Sequence, residues 1–372
     1  MLDPFIASDI DEVAPLILQN PSAPKMILVG EQATEDLGTY ISSWGALGIP
    51  FIGGLFPGVL VDARKSETDI LVYHLPKRTT FFSVHALDRL PIQLPDTLHV
   101  EMAETYQTAL VWIDGLSPHI ASFLSSLYNL FGSEIDYLGG GAGSLSLSPQ
   151  PCVFSHKGFF QDTAVIAMIP MPIKLGVRHG WQKLKGPLIA TKTMGNVVEQ
   201  LNWDNAFEVY RGVIEEDGQA LLGEHNFFDI AKGYPFGLYK ENAEDVVRDP
   251  IRVGEDGKLV CVGEVGEHAV LNILRGQPHH LIEAASKAAA DCELRSEEEG
   301  KHMLIIDCIS RVLFLEEDFS KELHVISDSR TVRQAGIRAS GALTLGEISS
   351  YGEGLVEFFN KTIVLGVFYE RH

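Results

Sequence analysis

Three continuous apolar runs stand out along the chain, and each is short enough to be a buried β-strand. They occupy residues 26–30, 109–115 and 303–308. Each run is followed by a segment of helical length, at residues 34–47, 117–132 and 315–327. Ser117 and Pro118 at the start of the second segment, and Gly132 at its end, are typical of the boundaries of a helix. The pattern therefore predicts a strand followed by a helix in three places.

A glycine-rich segment and a further apolar strand complete each of the three patterns. The glycine-rich segments span residues 50–58, 135–144 and 335–341, and the closing strands span residues 68–73, 163–169 and 361–368. The distances between corresponding parts differ among the three, whereas a solenoid keeps a fixed period. We therefore predict an α+β fold in which two modules of mixed β-sheets, flanked by helices, are built on an internally repeated strand-helix-strand-strand unit.

Shorter strands follow residue 174, and this change guides the predicted domain boundaries. Residues 187–193 and 197–201 are predicted to be strands joined by a turn at residues 194–196. Asp204 is predicted to cap a helix over residues 205–215, and a later helix is predicted over residues 278–294. The predicted divisions are an N-terminal extension at residues 1–24, with a helix at 13–18, a first module at residues 25–204 and a second module at residues 205–366.

The charge of the chain argues against a nucleic-acid partner. It carries 50 acidic and 29 basic side chains, a formal net charge of −21, and such a surface repels phosphate groups. No basic segment precedes an apolar core at the amino terminus, and no apolar stretch is long enough to cross a membrane. The four cysteines are widely spaced, which is typical of reduced thiols. We therefore predict a cytoplasmic protein with neither a membrane nor a nucleic-acid partner.

Several short motifs, each weak alone, follow one another in a recognisable order. In the first half they are the glycine run 139–143, Gly180, Thr191, Gly195-Asn196 and the segment 201–206. In the second half they are Tyr234-Pro235-Phe236, Arg248, Arg252, the segment 307–311, Gly346-Glu347-Ile348 and Asn360-Lys361-Thr362. From about residue 25 to about residue 365 this order resembles the FIST family, which consists of tandem FIST_N and FIST_C sensory modules.

The resemblance implies an intracellular module that senses small molecules such as amino acids or, in one branch of the family, nitric oxide through haem. It implies no known chemical reaction. Two segments depart from the family pattern. The first glycine segment has Gly54-Leu55-Phe56-Pro57-Gly58 where members usually have a Ser-Thr pair, and Asp307 stands where members usually have serine. If these positions line the pocket, the ligand of this chain differs from that of the family.

The glycine run at residues 139–143 is not a dinucleotide-binding motif, because the sixth position is Ser144 and a strand follows where a helix is required. Absent side chains allow another backbone or a ligand to come close. Packing is the more frequent use of glycine in such a place. Contact of Gly139, Gly140 and Gly141 with a ligand is the alternative, and both stay open.

Arg311 follows a predicted buried strand, and the ends of such strands are where open α/β sheets present ligand-binding groups. With Arg248, Arg252 and Glu347 as neighbours, its guanidinium would bind a ligand carboxylate bidentately while Glu347 accepts an amino group. An internal Arg–Glu ion pair that joins the repeats explains the same residues equally well.

Cys308 and two histidines are the remaining candidates for chemistry. A cysteine nucleophile needs a base within reach, and His302 and His324, the nearest in sequence, have no telling spacing, so a buried structural thiol is favoured. His156 and His179 lie near predicted loops, and either would serve as an axial haem ligand. No spacing typical of a zinc site occurs.

We predict a sensor that binds a small polar ligand, such as an amino acid, in a cleft between the modules and signals by contact with a separate protein. The predicted ligand-binding residues are Arg311, Cys308, Glu347, Arg252, Asn196, Gly139, Gly140 and Gly141, and no catalytic or metal-binding residue is predicted. A haem-binding nitric oxide sensor and a cysteine-dependent hydrolase stay open as alternatives. A homodimer is also left open.

Overall fold

The computed structural model describes residues 3–100, 106–218, 222–240, 244–351 and 355–371. The strands in chain order are β1 Phe5–Ala7, β2 Lys25–Gly30, β3 Phe51–Phe56, β4 Gly58–Val61, β5 Arg64–Ser66, β6 Ile70–His74, β7 Thr80–Val84, β8 Thr108–Asp114, β9 Asp136–Ala142, β10 Val153–Ser155, β11 Gly158–Phe160, β12 Ala164–Ile169, β13 Ile173–Arg178, β14 Gln182–Met194, β15 Val197–Leu201, β16 Asp204–Asn205, β17 Phe236–Leu238, β18 Val246–Val253, β19 Leu259–Val262, β20 Val270–Arg275, β21 Glu298–Cys308, β22 Ala339–Thr344, β23 Glu347–Tyr351, β24 Leu355–Phe359 and β25 Ile363–Arg371.

Helices connect and cover these strands. They are α1 Ile10–Gln19, α2 Leu37–Ala46, α3 Thr97–Val100, α4 Ile120–Phe131, α5 Ala206–Glu216, α6 Phe227–Ala231, α7 Pro278–Asp291, α8 Ile309–Leu315, α9 Phe319–Ser327 and α10 Arg330–Ala335. Short 3₁₀ turns occur at Glu224–Asn226, Glu255–Gly257 and Glu316–Asp318. Among the described residues, no helix is both long enough and apolar enough to span a bilayer.

Three six-stranded sheets have the same internal order of strands. The first sheet runs β1-β6-β2-β3-β10-β11, the second runs β7-β12-β8-β9-β23-β24 and the third runs β13-β25-β21-β22-β4-β5. In each sheet the two central strands are parallel, as in β2–β3, β8–β9 and β21–β22. The strand on the other side of the first of these is antiparallel, as in β6, β12 and β25. The predicted α+β fold with mixed sheets is therefore confirmed.

Each of the three sheets receives its last two strands from a different part of the chain. The chain leaves the first sheet after β3, and the hairpin β4–β5 pairs with β22 of the third sheet. It leaves the second sheet after β9, and β10–β11 pairs with β3 of the first. It leaves the third sheet after β22, and β23–β24 pairs with β9 of the second. The hairpins are thus exchanged in a closed circle among the three sheets.

The central strands are the predicted apolar runs. Every residue of β2 and of β8 is buried, as expected for strands that are covered on both faces. Helix α4 packs on the second sheet through Ile120, Phe123, Leu124 and Leu127, which recur at the helical spacing. The strong apolar periodicity of these segments explains why their positions are readable from the sequence.

A fourth, seven-stranded sheet has the order β14-β20-β17-β18-β19-β15-β16. Its core is formed with α5 and α6, through residues such as Tyr210 and Phe227. Strands β14, β15 and β16 precede residue 206, and the other four strands follow it. The sheet therefore combines chain segments from both sides of the predicted module boundary.

Some local predictions are confirmed and others are wrong. The predicted turn at residues 194–196 joins β14 and β15, with Met194 opposite Val197, and the predicted helix after Pro278 is α7. The predicted cap Asp204 is wrong, because Asp204 pairs with Leu201 in β16 and the side chain of Asn205 accepts hydrogen bonds from the first turn of α5. The helix predicted from residue 315 begins at Phe319, after a turn in which Glu316 has a φ of 51°.

Candidate functional site

A group of buried polar side chains lies where the parallel strands β21 and β22 end. Asp307 and Cys308 close β21, Thr344 closes β22 and Glu347 opens β23. We call this group the buried polar cluster, and its members are Asp249, Asp307, Cys308, Arg311, Glu322, Thr344, Glu347, Asn360, Lys361 and Thr362. Each member is at most 2% exposed. The carboxyl ends of parallel strands meet at one edge of the sheet, and this brings the cluster together.

Arg311 lies in the first turn of α8, one turn beyond the end of β21. Its Nε donates to Glu322 Oε1 at 3.1 Å, and Nη2 donates to Glu322 Oε2 and, at 3.1 Å, to the carbonyl oxygen of Leu281. Its Nη1 donates to the carbonyl oxygens of His179, at 2.7 Å, and Lys361, at 3.3 Å. A guanidinium has five N–H donors, so each of them has an acceptor within the chain. Arg311 is therefore saturated by internal contacts.

Asp307 shares the positive charge of Arg311 with Glu322. Its Oδ1 lies 3.4 Å from Arg311 Nε, yet among the described residues neither oxygen of the Asp307 carboxylate receives a hydrogen bond. Burial, and then the charge of Glu322, raise the pKa of Asp307 well above its usual range. A protonated Asp307 donates a hydrogen bond to Glu322. The proton therefore removes the repulsion between the two carboxylates and gives Asp307 a hydrogen-bond partner.

Glu347 links the end of β22 to the turn between β24 and β25. Thr344 Oγ1 donates to Glu347 Oε1 at 3.0 Å, and the backbone N–H of Thr362 donates to Oε2 at 3.2 Å. Burial raises the pKa of Glu347 to about 8 despite hydrogen bonds from Cys308 and Thr344 that lower it. The carboxyl group therefore holds a proton over most of the neutral range.

Cys308 is a buried thiol beside this carboxyl group. Burial, and then the charge of Glu347, raise its pKa well above the usual value. A nucleophilic cysteine requires the opposite shift. The four cysteines of the chain are all buried and unpaired in disulfides, in agreement with reduced thiols.

Lys361 joins the cluster to the fourth sheet. Its Nζ lies 3.0 Å from Asp249 Oδ2 and donates to the carbonyl oxygen of Lys232 at 2.9 Å. The same ammonium group lies 5.0 Å from the ring centre of Trp181, and Trp181 Nε1 donates to the carbonyl oxygen of Lys361 at 3.0 Å. We call the contacts of His179 and Trp181 with Arg311 and Lys361 the seam.

The cluster contains more carboxyl groups than cations. Its cations are Arg311 and Lys361, and its carboxyl groups are Asp249, Asp307, Glu322 and Glu347. Glu322 pairs with Arg311 and Asp249 pairs with Lys361, so Asp307 and Glu347 remain in excess. In a buried site such an excess is held as protonated acids or is balanced by a bound cation.

The glycine run borders the cluster and is closely packed. Gly140 pairs with Glu347 across β9 and β23, and a Cβ at Gly140 would lie 2.7 Å from Thr344 Cγ2. A Cβ at Gly139 would lie 1.8 Å from the carbonyl oxygen of Val111, and one at Gly141 would lie 2.9 Å from the Cα of Gly115. These contacts are with protein atoms, and the packing interpretation accounts for them.

Two predicted site residues lie elsewhere. Arg252 is exposed on β18, opposite Val260 of β19. Asn196 lies in the turn between β14 and β15, where its amide donates to the carbonyl oxygen of Cys261 at 2.9 Å. Arg248, a predicted neighbour of Arg311, donates instead to the carbonyl oxygens of Val247, Phe358 and Glu264. The other six predicted residues lie in the cluster or along its border.

The two histidines considered as haem ligands lie apart from one another. His156 is half-buried between β10 and β11. His179 is buried at the seam, where its Nδ1 accepts a hydrogen bond from the backbone N–H of Trp181 at 2.9 Å and burial lowers its pKa. Within the described part of the chain, no three His, Cys, Asp or Glu side chains are placed to hold one metal ion.

Seven members of the cluster were not predicted as site residues: Asp249, Asp307, Glu322, Thr344, Asn360, Lys361 and Thr362. Asp307 and Lys361 occur in the motifs 307–311 and 360–362, so the resemblance contained the signal for them. Glu322 lies on α9 and carries no motif. Its role depends on a partner 11 residues away in sequence, and no local pattern indicates it.

Comparison with family models gives two matches in tandem. The FIST N domain matches residues 28–204 and the FIST C domain matches residues 206–350. No curated protein matches the chain. His179 and Trp181 belong to the first matched range and Arg311 to the second, whereas Lys361 lies beyond both, so the contact of His179 with Arg311 joins the two matched domains.

Proposed function

Because this chain belongs to the FIST family, whose domains are sensory modules of signal transduction, we propose that it binds a small polar ligand at the buried polar cluster. Binding there changes the contact between the two domains, and a separate protein reads that change. The observation that carries the proposal is one buried, charged cluster that is formed by residues of the second domain and of the segment after it, and that is bordered by the glycine run of the first domain.

The seam supports this proposal because polar contacts of the cluster cross it. The carbonyl oxygen of His179 accepts from Arg311, and Trp181 donates to the carbonyl oxygen of Lys361. A ligand that binds beside Asp307 and Glu347 changes the charges next to these contacts. Buried polar groups are strongly coupled to one another, so the ligand alters the relative stability of arrangements of the two domains.

The signalling step in this proposal is a shift of population. The closed seam excludes water from the cluster, and the ligand enters from an open arrangement and is retained in the closed one. A ligand changes such an equilibrium only by its difference in affinity for the two arrangements. The surface that a partner recognises then differs between the two populations.

The experiment is native mass spectrometry of the full chain purified from its own host under gentle conditions. We expect a retained small molecule in the wild-type protein and in the control variant Glu283→Gln, since Glu283 is an exposed carboxylate paired with Lys287. The variant Glu347→Gln should lose the molecule while it keeps a wild-type circular dichroism spectrum. Retention of the same molecule by all three proteins would place binding outside the cluster. No binding of any component of a host metabolite extract by the wild-type protein would remove the proposal.

A further inference from the structure

The donors of the buried polar cluster are already used within the chain. All five N–H groups of Arg311 have acceptors, as described above. Lys361 Nζ contacts Asp249, a carbonyl oxygen and the face of Trp181, and Thr362 Oγ1 donates to the carbonyl oxygen of Asn360 at 2.9 Å. Among the described residues, the two cations of the cluster therefore have their N–H groups already in contact with acceptors or with the ring of Trp181, and neither is free for a ligand carboxylate.

Several acceptor oxygens of the cluster, in contrast, receive no hydrogen bond from the described residues. Asp307 is 0% exposed, and neither of its side-chain oxygens receives a hydrogen bond from the described residues. The side-chain oxygen of Asn360 is also buried without a donor in that part of the chain. Leaving such acceptors without donors is unfavourable in a site that excludes water. The cluster thus requires hydrogen-bond donors and positive charge.

We propose that the group recognised by this cluster is a protonated primary amine, which takes the place of protons held by Asp307 and Glu347. This inference rests on the proposed function and specifies the chemical class of its ligand. An alkylammonium group supplies one positive charge and three N–H donors at one point. A quaternary ammonium group supplies no donor, and the planar guanidinium position is already occupied by Arg311.

If the net charge of the cluster is to stay the same, binding of an ammonium ion must release a proton from one of its carboxyl groups. In the free protein the surplus carboxyl groups remain neutral by holding protons, and burial raises the pKa of both. When the ammonium ion binds, a carboxyl O–H bond is broken, its proton passes to the buffer and the resulting carboxylate accepts from the ligand N–H. No covalent bond to the ligand forms, and the charge of the cluster is unchanged.

The charged and titratable groups that face these two carboxyl groups come from four elements. Arg311 on α8, Glu322 on α9 and Glu347 on β23 face Asp307, whereas Cys308 at the end of β21 and, at longer range, Arg311 face Glu347. Strand β9, which pairs with β23, presents Gly139 and Gly140 to this region. Among these named neighbours only Arg311 is a cation, so they do not balance the excess of carboxyl groups in the cluster.

The test compares n-butylamine, butyrate and γ-aminobutyrate as probes of the full chain. Isothermal titration calorimetry is carried out at neutral pH in phosphate and in MOPS buffer, which differ in their heat of protonation and contain no primary amine. We expect the two amines to bind and butyrate not to bind, and the difference in heat between buffers should correspond to about one proton released per bound amine. The wild-type protein alone supplies this result, so it does not depend on a variant that folds.

Variants then locate the binding. Glu347→Gln should weaken amine binding by about tenfold or more, since a hydrogen bond to a charged group is lost, and should reduce the number of protons released. Glu283→Gln should leave both quantities at wild-type values. Amine binding with no proton release, or with equal affinity in Glu347→Gln, would overturn the inference.

The two proposals fail in different ways. If butyrate binds and the amines do not, or if the molecule retained in native mass spectrometry lacks an amine, only the present inference is wrong. If no probe binds and no molecule is retained, both proposals are wrong. If a retained molecule carries a primary amine that the small probes fail to imitate, its own release of protons on rebinding decides the inference.

Discussion

At the level of single residues, Arg311 is the most completely bonded side chain of the cluster. It is fully buried and pairs with a fully buried Glu322. Such a pair gains little over apolar residues of similar volume, but removal of one member leaves an uncompensated buried charge. Arg311 therefore stabilises the seam whether or not a ligand is bound.

We expect Arg311→Leu to lower the free energy of unfolding by about 3–5 kcal/mol, because Glu322 and three backbone carbonyl groups each lose a donor. Urea unfolding followed by circular dichroism measures the change. Arg333→Leu is the matched control, because Arg333 pairs with Asp328 at the surface with both side chains exposed, and it should change stability little. Equal effects of the two substitutions would contradict the structural role of Arg311.

Glu347 makes stability depend on pH in a direction opposite to that of an ordinary carboxylate. Burial raises its pKa from 4.5 to about 8, so between these values the folded protein holds a proton that the unfolded chain has released. Where the folded state binds more protons than the unfolded chain, the free energy of unfolding falls as pH rises. The contribution of Glu347 is therefore complete below the lower value and is lost as pH rises toward the upper one.

We expect the difference in unfolding free energy between the wild-type protein and Glu347→Gln to shrink by up to about 1.4 kcal/mol for each pH unit within this window. Urea unfolding of both proteins at several pH values gives this difference. The comparison cancels the buried His179 and His302, whose pKa values are lowered by burial and which act in both proteins alike. A difference that is constant with pH would show that Glu347 is ionised in the folded state.

Asp3, His302 and Ser340 form a chain of hydrogen bonds whose spacing is that of a catalytic triad. His302 Nδ1 lies 3.3 Å from Asp3 Oδ1 and Nε2 lies 3.0 Å from Ser340 Oγ. The hydroxyl group of Ser340, however, is also hydrogen-bonded to Tyr73 at 2.7 Å and the residue is 1% exposed. The arrangement joins the amino-terminal segment, the first sheet and the third sheet.

We expect a fluorophosphonate probe to leave Ser340 unlabelled, because a phosphonylating reagent cannot reach a buried hydroxyl group inside a strand. Intact-protein mass spectrometry after incubation measures labelling, with a serine hydrolase in the same tube as a positive control. A single adduct on the wild-type protein that disappears in Ser340→Ala would refute this structural interpretation.

At the level of elements, the start of α5 shows how the chain passes between the two matched domains. Asn205 accepts hydrogen bonds from the backbone N–H groups of Phe207 and Glu208, at 3.1 and 3.2 Å. Its amide also donates to the carbonyl oxygen of Asp256 at 2.7 Å. One side chain thus caps the helix and fixes it to the turn before β19.

We expect Asn205→Ala to destabilise the protein by about 1 kcal/mol, which is typical of the loss of a helix cap. Asp204→Ala is the control at the neighbouring position, since Asp204 is exposed and makes no cap, and it should have a smaller effect. Thermal unfolding of the two variants in parallel distinguishes them. A larger effect at Asp204 would restore the original assignment of the cap.

At the level of the whole molecule, the exchange of hairpins makes the two matched domains depend on each other. The third sheet takes β4 and β5 from the first domain, whereas the second sheet takes β23 and β24 from beyond residue 346. A chain cut at the boundary between residues 204 and 206 therefore has unpaired sheet edges in both halves. Such edges aggregate unless they are covered.

We expect fragment 1–204 and fragment 205–372 to be insoluble or unfolded when each is expressed alone, and to co-purify as a one-to-one complex when expressed together. Size-exclusion chromatography with light scattering measures the complex, and circular dichroism measures its folding. Cooperative unfolding of fragment 1–204 alone at the wild-type temperature would show that the exchanged hairpins contribute little.

The sequence by itself determined the elements whose signals are local. The apolar runs of β2, β8 and β21 specify buried strands because strands covered on both faces need apolar side chains at every position. Pro278 marks the start of α7 because proline is favoured where a helix has no use for the missing N–H. The ordered motifs from Gly139 to Thr362 identified the family, and they include most of the residues that meet in the cluster.

Only the tertiary structure decided which sheet receives each hairpin and which partner neutralises each buried charge. The sequences of β4, β10 and β23 contain no information about the strand that each of them pairs with. Arg311 is bonded by Glu322, His179, Leu281 and Lys361, which come from four separate segments. Which side chains are buried and which charges pair depend on how the three sheets pack and exchange hairpins, and that packing exists only in the folded chain.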